Sequence, residues 1–208
     1  MLLIEHSAMS FGQSGGITAH TVNQVINNPA PSERPEEALR RQKEARRILA
    51  PELQRTIDRV LFIHQRALAN FGAHSVNAKV LPNDTKQDFI PHWPRLYPTA
   101  PQVRDLADDD AAALTAYYDS LHVLNDEVED WWERDGQLPV NLFNVFRDKA
   151  SRSLKLALIC IEKFDLETLI PPPYEAWGTI SYRINQALKS EQQTLDAHLA
   201  RAAAREKK

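Results

Sequence analysis

The amino-acid sequence predicts an all-α fold, an antiparallel helical bundle of about four main helices. Apolar residues recur three and four positions apart in several long stretches, which places them on one face of a helix. Prolines and glycines fall mainly between these stretches, where they form turns or end helices. The 208-residue chain therefore divides into a short polar N-terminal arm, residues 1–35, and a bundle domain, residues 36–208, which contains a Pro-rich crossing segment at 73–104.

The N-terminal arm combines turn-forming glycines with β-branched residues and ends among prolines. Ile17, Val22 and Val25 belong to its β-branched stretch and favour extended backbone. A lone strand cannot satisfy its own amides, and a helical bundle offers no sheet to receive it. We therefore expect the arm to be either a mobile tail or a strand that pairs with copies of itself or with another protein.

The bundle domain opens with two helical stretches that a proline separates. Pro51 has no amide proton and clashes with the preceding helical turn. The sequence therefore predicts one charged helix at 36–49 and a second helix at 51–71, which Gly72 ends.

The connection at 73–104 contains five prolines together with large apolar side chains. A solvated linker has no use for so much apolar surface, so we expect the segment to lie across the bundle and seal it. The large apolar residues are Phe89, Ile90, Trp93, Leu96 and Tyr97.

The two clearest helices are expected at 108–135 and 140–165. A short stretch with Gly136 and Pro139 separates them, so they should pack as an antiparallel hairpin. The stripe of the first is Leu114, Tyr117, Leu121, Leu124, Val128 and Trp131. The stripe of the second is Phe143, Phe146, Ala150, Leu154, Ala157, Leu158, Ile161 and Phe164. Among these residues Leu121, Leu124, Leu154 and Leu158 are expected to be almost fully buried.

A run of three prolines at 171–173 precedes the last predicted helix, which begins near residue 174. Its final turns, from residue 200 onward, consist of alanine and charged residues and are expected to fray. Its inward stripe is Trp177, Ile180, Ile184, Leu188, Leu195 and Leu199.

Composition limits the classes of function. A net charge of −3 gives no reason to expect nucleic acid as a partner, and no apolar run is long enough to span a bilayer. Cys160 is the single cysteine, so nothing favours an oxidising compartment, and we expect a cytoplasmic protein.

Two stretches resemble known sequences. The first is similar to a segment near the N-terminus of many uncharacterised bacterial proteins, and reads Gly12-Gln13-Ser14-Gly15-Gly16-Ile17-Thr18-Ala19-His20-Thr21-Val22-Asn23. The second, at 96–164, includes Trp131-Trp132-Glu133-Arg134 and resembles hypothetical helical proteins of soil and plant-associated bacteria. The resemblance covers under half of the chain. It implies a bacterial origin and an α-helical body, and it supplies no activity and no catalytic residues.

A metal site has one candidate pair. Asp119 and His122 lie three positions apart, on adjacent turns of one helix, as metal sites in helical bundles require. A di-metal site needs a second such pair on another helix, and the sequence has none. We therefore expect a satisfied or surface pair, with no metal and no cofactor.

Arg59 and His64 have the Arg-x4-His spacing of HEPN ribonucleases, which are helical bundles. In that family the pair would polarise a phosphate and move a proton from a ribose hydroxyl. In this chain Val60 follows the arginine where the family usually has a polar residue, and the motif lies inside an early helix rather than opening a late one. We therefore expect both side chains to be structural or superficial, with no carboxylate or histidine converging on them.

The end of the helix at 108–135 is acidic. Glu129 and Asp130 belong to this cluster, and the neighbouring Trp132 points about 100° away from the predicted seam. The cluster is either a surface for a basic partner or a face that is solvated or paired with basic residues near 40–47 of the same chain.

Taken together, these patterns favour a non-catalytic bacterial interaction or assembly protein. Its partner is expected to be another protein or a copy of itself, with the N-terminal arm as a docking or self-association strand. The alternative is a HEPN-like ribonuclease toxin or defence effector that uses Arg59 and His64.

Overall fold

The computed structural model describes residues 34–75, 86–133, 140–168 and 178–206, and in this part of the chain the regular structure is helical. The long helices are α1 (Pro35–Ser75), α3 (Asp108–Glu133), α4 (Val140–Lys163) and α5 (Ile180–Glu206). The short helix α2 (Lys86–Phe89) and 3₁₀ turns at Pro101–Asp105 and Leu166–Thr168 lie between them. The predicted all-α bundle is confirmed.

By its backbone contacts the chain forms two units, Met1–Leu39 and Arg40–Lys208. Every contact discussed below lies within the second unit. The predictions for the N-terminal arm, with Ile17, Val22 and Val25, fall outside the described residues, as do those for Trp177 and for the side chains of Trp131, Trp132 and Phe143.

Helix α1 is a single helix, so the prediction of two helices at 36–49 and 51–71 is wrong. A proline inside a helix costs roughly 3 kcal/mol. Residues on both sides of Pro51 are buried in the core, among them Leu49 and Leu53, and each buried side chain of this kind contributes about 1.5–3 kcal/mol. Burial on both sides therefore outweighs the cost of Pro51. Gly72 lies inside the helix rather than at its end.

Helices α3 and α4 form the predicted antiparallel hairpin. As the contacts move towards the end of α3, their partners move towards the start of α4. The pairs in order along α3 are Asp110 with Lys163, Ser120 with Ser153, and Glu127 with Lys149.

The predicted core stripes are confirmed at most positions, with two corrections. Leu121, Leu124 and Leu154 are fully buried, whereas Leu158 is only partly buried because Ala157 and Ile161 occupy the core-facing positions of that turn. Leu199 is 64% exposed rather than inward-facing. Leu199 follows His198, whose ring packs on Phe71 near the end of α1.

Helix α1 runs parallel to both α3 and α5, whereas α4 runs antiparallel to its two neighbours. Along α1 and α5 the contacts advance together, because Asp58 meets Arg183 and His64 meets Glu191. Along α1 and α3 they also advance together, from the pair of Arg46 and Asp110 to Thr56 near Tyr117.

The connection between α1 and α3 makes this parallel arrangement possible, because it returns along α1 in the opposite direction. Charged residues of α1 hold it at successive points. The contacts are Arg66 with Asp88, Arg59 with the carbonyls of Gln87 and Ile90, Glu52 with the amides of Arg95, Leu96 and Tyr97, and Arg41 with Asp105.

The prediction that the Pro-rich segment crosses the bundle is confirmed for residues 86–104, with Phe89 fully buried. The expectation that Trp93 helps to seal the core is wrong, because its side chain is 39% exposed. Its ring instead packs on His122, with 4.6 Å between the ring centroids.

Candidate functional site

Arg59 is a structural residue. Its Nε donates to the carbonyl oxygen of Ile90 at 2.9 Å, and its Nη2 donates to that of Gln87. Partial burial lowers the pKa of the guanidinium. The guanidinium therefore holds the connection between α1 and α3 against α1.

His64 is fully buried and faces a different neighbour. Its Nε2 lies 3.0 Å from Oε2 of Glu191 on α5, and the other carboxylate oxygen of Glu191 pairs with Arg147 on α4. The expectation that no carboxylate converges on His64 is therefore wrong. Glu191 is 127 positions away in the chain, which no local motif can reveal. The available signal was an acidic residue at an inward position of the last helix.

The protonation of His64 follows from these contacts. Burial, and then the positive charge of Arg147, lower the pKa of the imidazole to about 4, so the ring is neutral near pH 7. Because the Glu191 carboxylate only accepts hydrogen bonds, Nε2 must carry the proton. Nδ1 is then an acceptor, and no group in the described part of the chain donates to it.

A neutral ring of this kind is a hydrogen-bond acceptor and a poor base. A general base works best when its pKa lies near the working pH. Arg147 also engages the carboxylate that would otherwise stabilise an imidazolium. Burial also keeps the His64 ring out of contact with solvent.

Arg59 and His64 bind different parts of the fold. Arg59 is bonded to the returning connection, whereas His64 is bonded to α5. Five positions along a helix turn the two side chains about 140° apart, which agrees with their different partners.

A groove of about 850 Å³ runs between α1 and α5, and His64 is among the residues that line it. From Gln54 to Leu68 the α1 wall spans about 21 Å, at 1.5 Å per residue. On α1 the lining residues are Gln54, Asp58, Leu61, Phe62, His64, Gln65 and Leu68. Opposite them are Gly178, Tyr182, Arg183, Gln186, Ala187 and Ser190.

Two aromatic rings of the groove remain accessible. Phe62 is 38% exposed and carries the guanidinium of Arg59 over its ring, 5.1 Å from the centroid. Tyr182 is 56% exposed. Gly178 has a φ of +75°, and a Cβ there would lie 2.7 Å from the Tyr182 ring, so a glycine is needed at this corner.

The charges that line the groove are internally balanced. Arg183 donates to Asp58 at 2.7 Å across its width, and the Glu191 carboxylate beneath His64 is paired with Arg147. The remaining polar lining consists of neutral amides and hydroxyls, so the groove presents no net charge to an occupant.

Asp119 and His122 lie on adjacent turns of α3. Both side chains are exposed, and His122 packs on Trp93. No cluster of three potential ligands occurs among the described residues.

Two carboxylates at the acidic end of α3 are paired within the fold. Glu127 pairs with Lys149 at 3.5 Å, and Glu129 pairs with Lys86. These partners come from α4 and α2, rather than from the basic residues near 40–47 considered from the sequence. Asp130 is exposed.

Cys160 is an inert core thiol. It is fully buried, its Sγ lies 3.4 Å from the Ala113 carbonyl oxygen, and burial raises its pKa to about 12. A thiol that stays protonated is neither a nucleophile nor a metal ligand.

Among the described helices, none is both long and apolar enough to cross a membrane. Comparison with family models, with curated proteins and with solved structures finds no match to this chain.

Proposed function

We propose that this chain is a non-catalytic interaction protein that binds a helical segment of a partner protein in the groove between α1 and α5. The single observation that carries the proposal is the spacing of the α1 wall. Its residues Gln54, Asp58, Leu61, Gln65 and Leu68 follow gaps of four, three, four and three. This is the spacing with which one helix packs against another.

The dimensions of the groove agree with a helical occupant. A groove of about 21 Å accommodates roughly fourteen residues of helix. Phe62 and Tyr182 offer accessible aromatic surface at its edges, and aromatic residues are enriched at protein interfaces. The partner helix would lie along both walls and bury these rings.

The protonation of His64 supports a binding role over an enzymatic one. An imidazole held neutral by burial and Arg147 is poorly suited to accept a proton from a ribose hydroxyl. We further propose a cytoplasmic location, which the single cysteine supports because it needs no oxidising compartment.

Site-specific photo-crosslinking tests this proposal. A benzophenone amino acid replaces Tyr182 in cells that produce the protein. The control carries it at Leu199, which is exposed to a similar degree and lies on the same helix. We expect one discrete protein adduct from position 182 and none from position 199.

Three results would contradict the proposal. Equal labelling from both positions would indicate nonspecific contact, and an adduct with a second copy of the chain would indicate self-assembly instead. Cleavage of RNA by the wild type that is lost in a folded His64→Ala variant would support the ribonuclease alternative.

A further inference from the structure

One edge of α1 beside the groove combines positive charge with an exposed ring. Three arginines and a phenylalanine follow gaps of four, three and four, so they share this edge of the helix: Arg55, Arg59, Phe62 and Arg66. We call this edge the arginine ridge. Phe62 also lines the groove, and the ridge therefore forms its rim on the α1 side.

The ring of Phe62 carries two guanidinium groups. Those of Arg59 and Arg66 lie over the ring, 5.1 and 5.6 Å from its centroid. A cation–π contact holds an arginine in place without neutralising its charge, because the ring itself is uncharged. The ring is still 38% exposed, so the ridge offers apolar surface and positive charge at the same place.

The charges of Arg55 and Arg59 remain available to an occupant of the groove. The side chain of Arg55 is 47% exposed, and its Nη2 lies 3.9 Å from Oε2 of Glu52, which is longer than a hydrogen bond. The Glu52 carboxylate accepts hydrogen bonds from the amides of residues 95–97 instead. Arg59 donates to two carbonyl oxygens. Within the described residues, neither guanidinium donates a hydrogen bond to a carboxylate.

The positive charge of the ridge also acts on His92, an exposed residue of the returning connection. Partial burial lowers the pKa of its imidazole, and the charges of Arg59 and Arg55 lower that pKa further. On the other side of the groove, Lys189 is an exposed cation of α5, three positions after the wall residue Gln186. Cations therefore lie beside both walls, although the residues that line the groove are balanced in charge.

Building on the proposed function, we propose that the partner helix carries two acidic residues one turn apart, on the flank that meets Arg55 and Arg59. Carboxylates four positions apart on a helix match the spacing of these two arginines. An exposed guanidinium such as that of Arg55 binds a carboxylate through two parallel N–H donors. An apolar side chain next to the acidic pair would cover the ring of Phe62.

Two features favour an acidic protein helix over a single-stranded nucleic acid, whose phosphates arginine also binds. The chain has a net charge of −3, whereas domains that bind nucleic acid are typically basic. The α1 wall next to the ridge contributes Leu61 and Leu68 to the groove, and these residues suit the apolar face of a helix.

Three peptides test this inference on the full chain. Each is stapled into a helix of about fourteen residues with leucines on one face, to fit the length of the groove. Two flanking positions, four residues apart, are both glutamate, both glutamine or both lysine. Fluorescence anisotropy measures binding at low salt. We expect the glutamate peptide to bind about tenfold more tightly than the glutamine peptide, and the lysine peptide to bind most weakly.

Reversing one charge connects this preference to the ridge. Arg55→Glu should remove the preference for the glutamate peptide, and Arg55→Gln, which only removes the charge, should reduce it. The matched control Lys155→Glu also turns a cation into a carboxylate, at an exposed position of α4, and should keep the tenfold preference. With benzophenone at position 182, the glutamate peptide should form an adduct, which would locate it in the groove.

The outcomes separate this inference from the proposed function. Equal affinity of the glutamate and glutamine peptides, with adducts from both at position 182, would overturn the acidic flank and leave the groove as a helix-binding site. A single-stranded RNA of similar length that binds more tightly than the glutamate peptide would assign the ridge to phosphate and overturn the inference. Failure of all three peptides to bind would also overturn it, whereas an adduct formed at position 182 in cells would still support the proposed function.

Discussion

At the scale of single residues, His64 ties stability to pH. Its pKa is about 4 in the folded chain, against 6.5 for an unperturbed histidine, because burial and Arg147 disfavour the imidazolium. The unfolded chain therefore binds the proton more readily. The contribution of the neutral His64 ring to the free energy of unfolding is fully present above about pH 6.5. It is lost as the pH falls towards 4.

We expect the His64 titration to remove on the order of 3 kcal/mol of unfolding free energy across that window. Denaturant unfolding at a series of pH values measures it. His64→Gln should flatten the curve between pH 6.5 and 4. His122→Gln, which changes an exposed histidine on α3, should leave it as in the wild type. Identical slopes for the wild type and His64→Gln would show that His64 is not the titrating group.

At the scale of elements, the returning connection depends on Glu52. This carboxylate is 8% exposed and accepts hydrogen bonds from the amides of Arg95, at 2.6 Å, and Leu96, at 3.0 Å. A hydrogen bond to a charged group contributes about 1.5–3 kcal/mol to the stability of the fold. Glu52 therefore fixes the middle of the connection against α1.

We expect Glu52→Gln to destabilise the fold by about 1.5–3 kcal/mol, because the amide is uncharged and turns a donor towards the backbone N–H groups. Hydrogen exchange at the amides of residues 95–97 should accelerate in this variant. Glu44→Gln, an exposed change on the same helix, is the control and should leave exchange at 95–97 unaltered. Unchanged exchange in Glu52→Gln would mean that other contacts hold the connection.

At the scale of the whole molecule, a charge pair links three helices. Glu191 on α5 bonds His64 on α1 and pairs with Arg147 on α4. Arg147 is 7% exposed, and removing one partner of a buried ion pair typically costs about 3–5 kcal/mol. Replacing both partners with apolar residues of similar size is often neutral or stabilising.

We expect Glu191→Leu to lower the unfolding free energy by about 3 kcal/mol, because Arg147 then stays buried without a counter-ion. The double variant Arg147→Met with Glu191→Leu should recover most of that loss. Denaturant unfolding of the single and double variants measures both effects. A double variant no more stable than Glu191→Leu alone would show that the buried charge is not the cause.

Local pattern was sufficient for most of the helical core. Leu114, Tyr117, Leu121, Leu124 and Val128 are all fully buried, as their spacing on one helix predicts. Pro51 shows the limit of the same reasoning, because its local cost is offset by core contacts that come from other parts of the chain.

The candidate site was less accessible to sequence reasoning. Arg59 and His64 drew attention through their spacing, yet their partners are the carbonyls of a returning connection and a glutamate on the last helix. The groove needs the parallel pairing of α1 with α5, and that pairing follows from the path of the connection. A spacing motif contains no information about either.

The sequence by itself determined that the chain is helical, where its apolar faces lie and that 108–135 and 140–165 form a hairpin, because these properties depend on neighbours within a few turns. The tertiary structure alone decided that α1 continues through Pro51, that His64 meets Glu191 and Arg147, and that α1 and α5 enclose a groove. These features join residues up to 127 positions apart, and such contacts form only when the whole bundle packs.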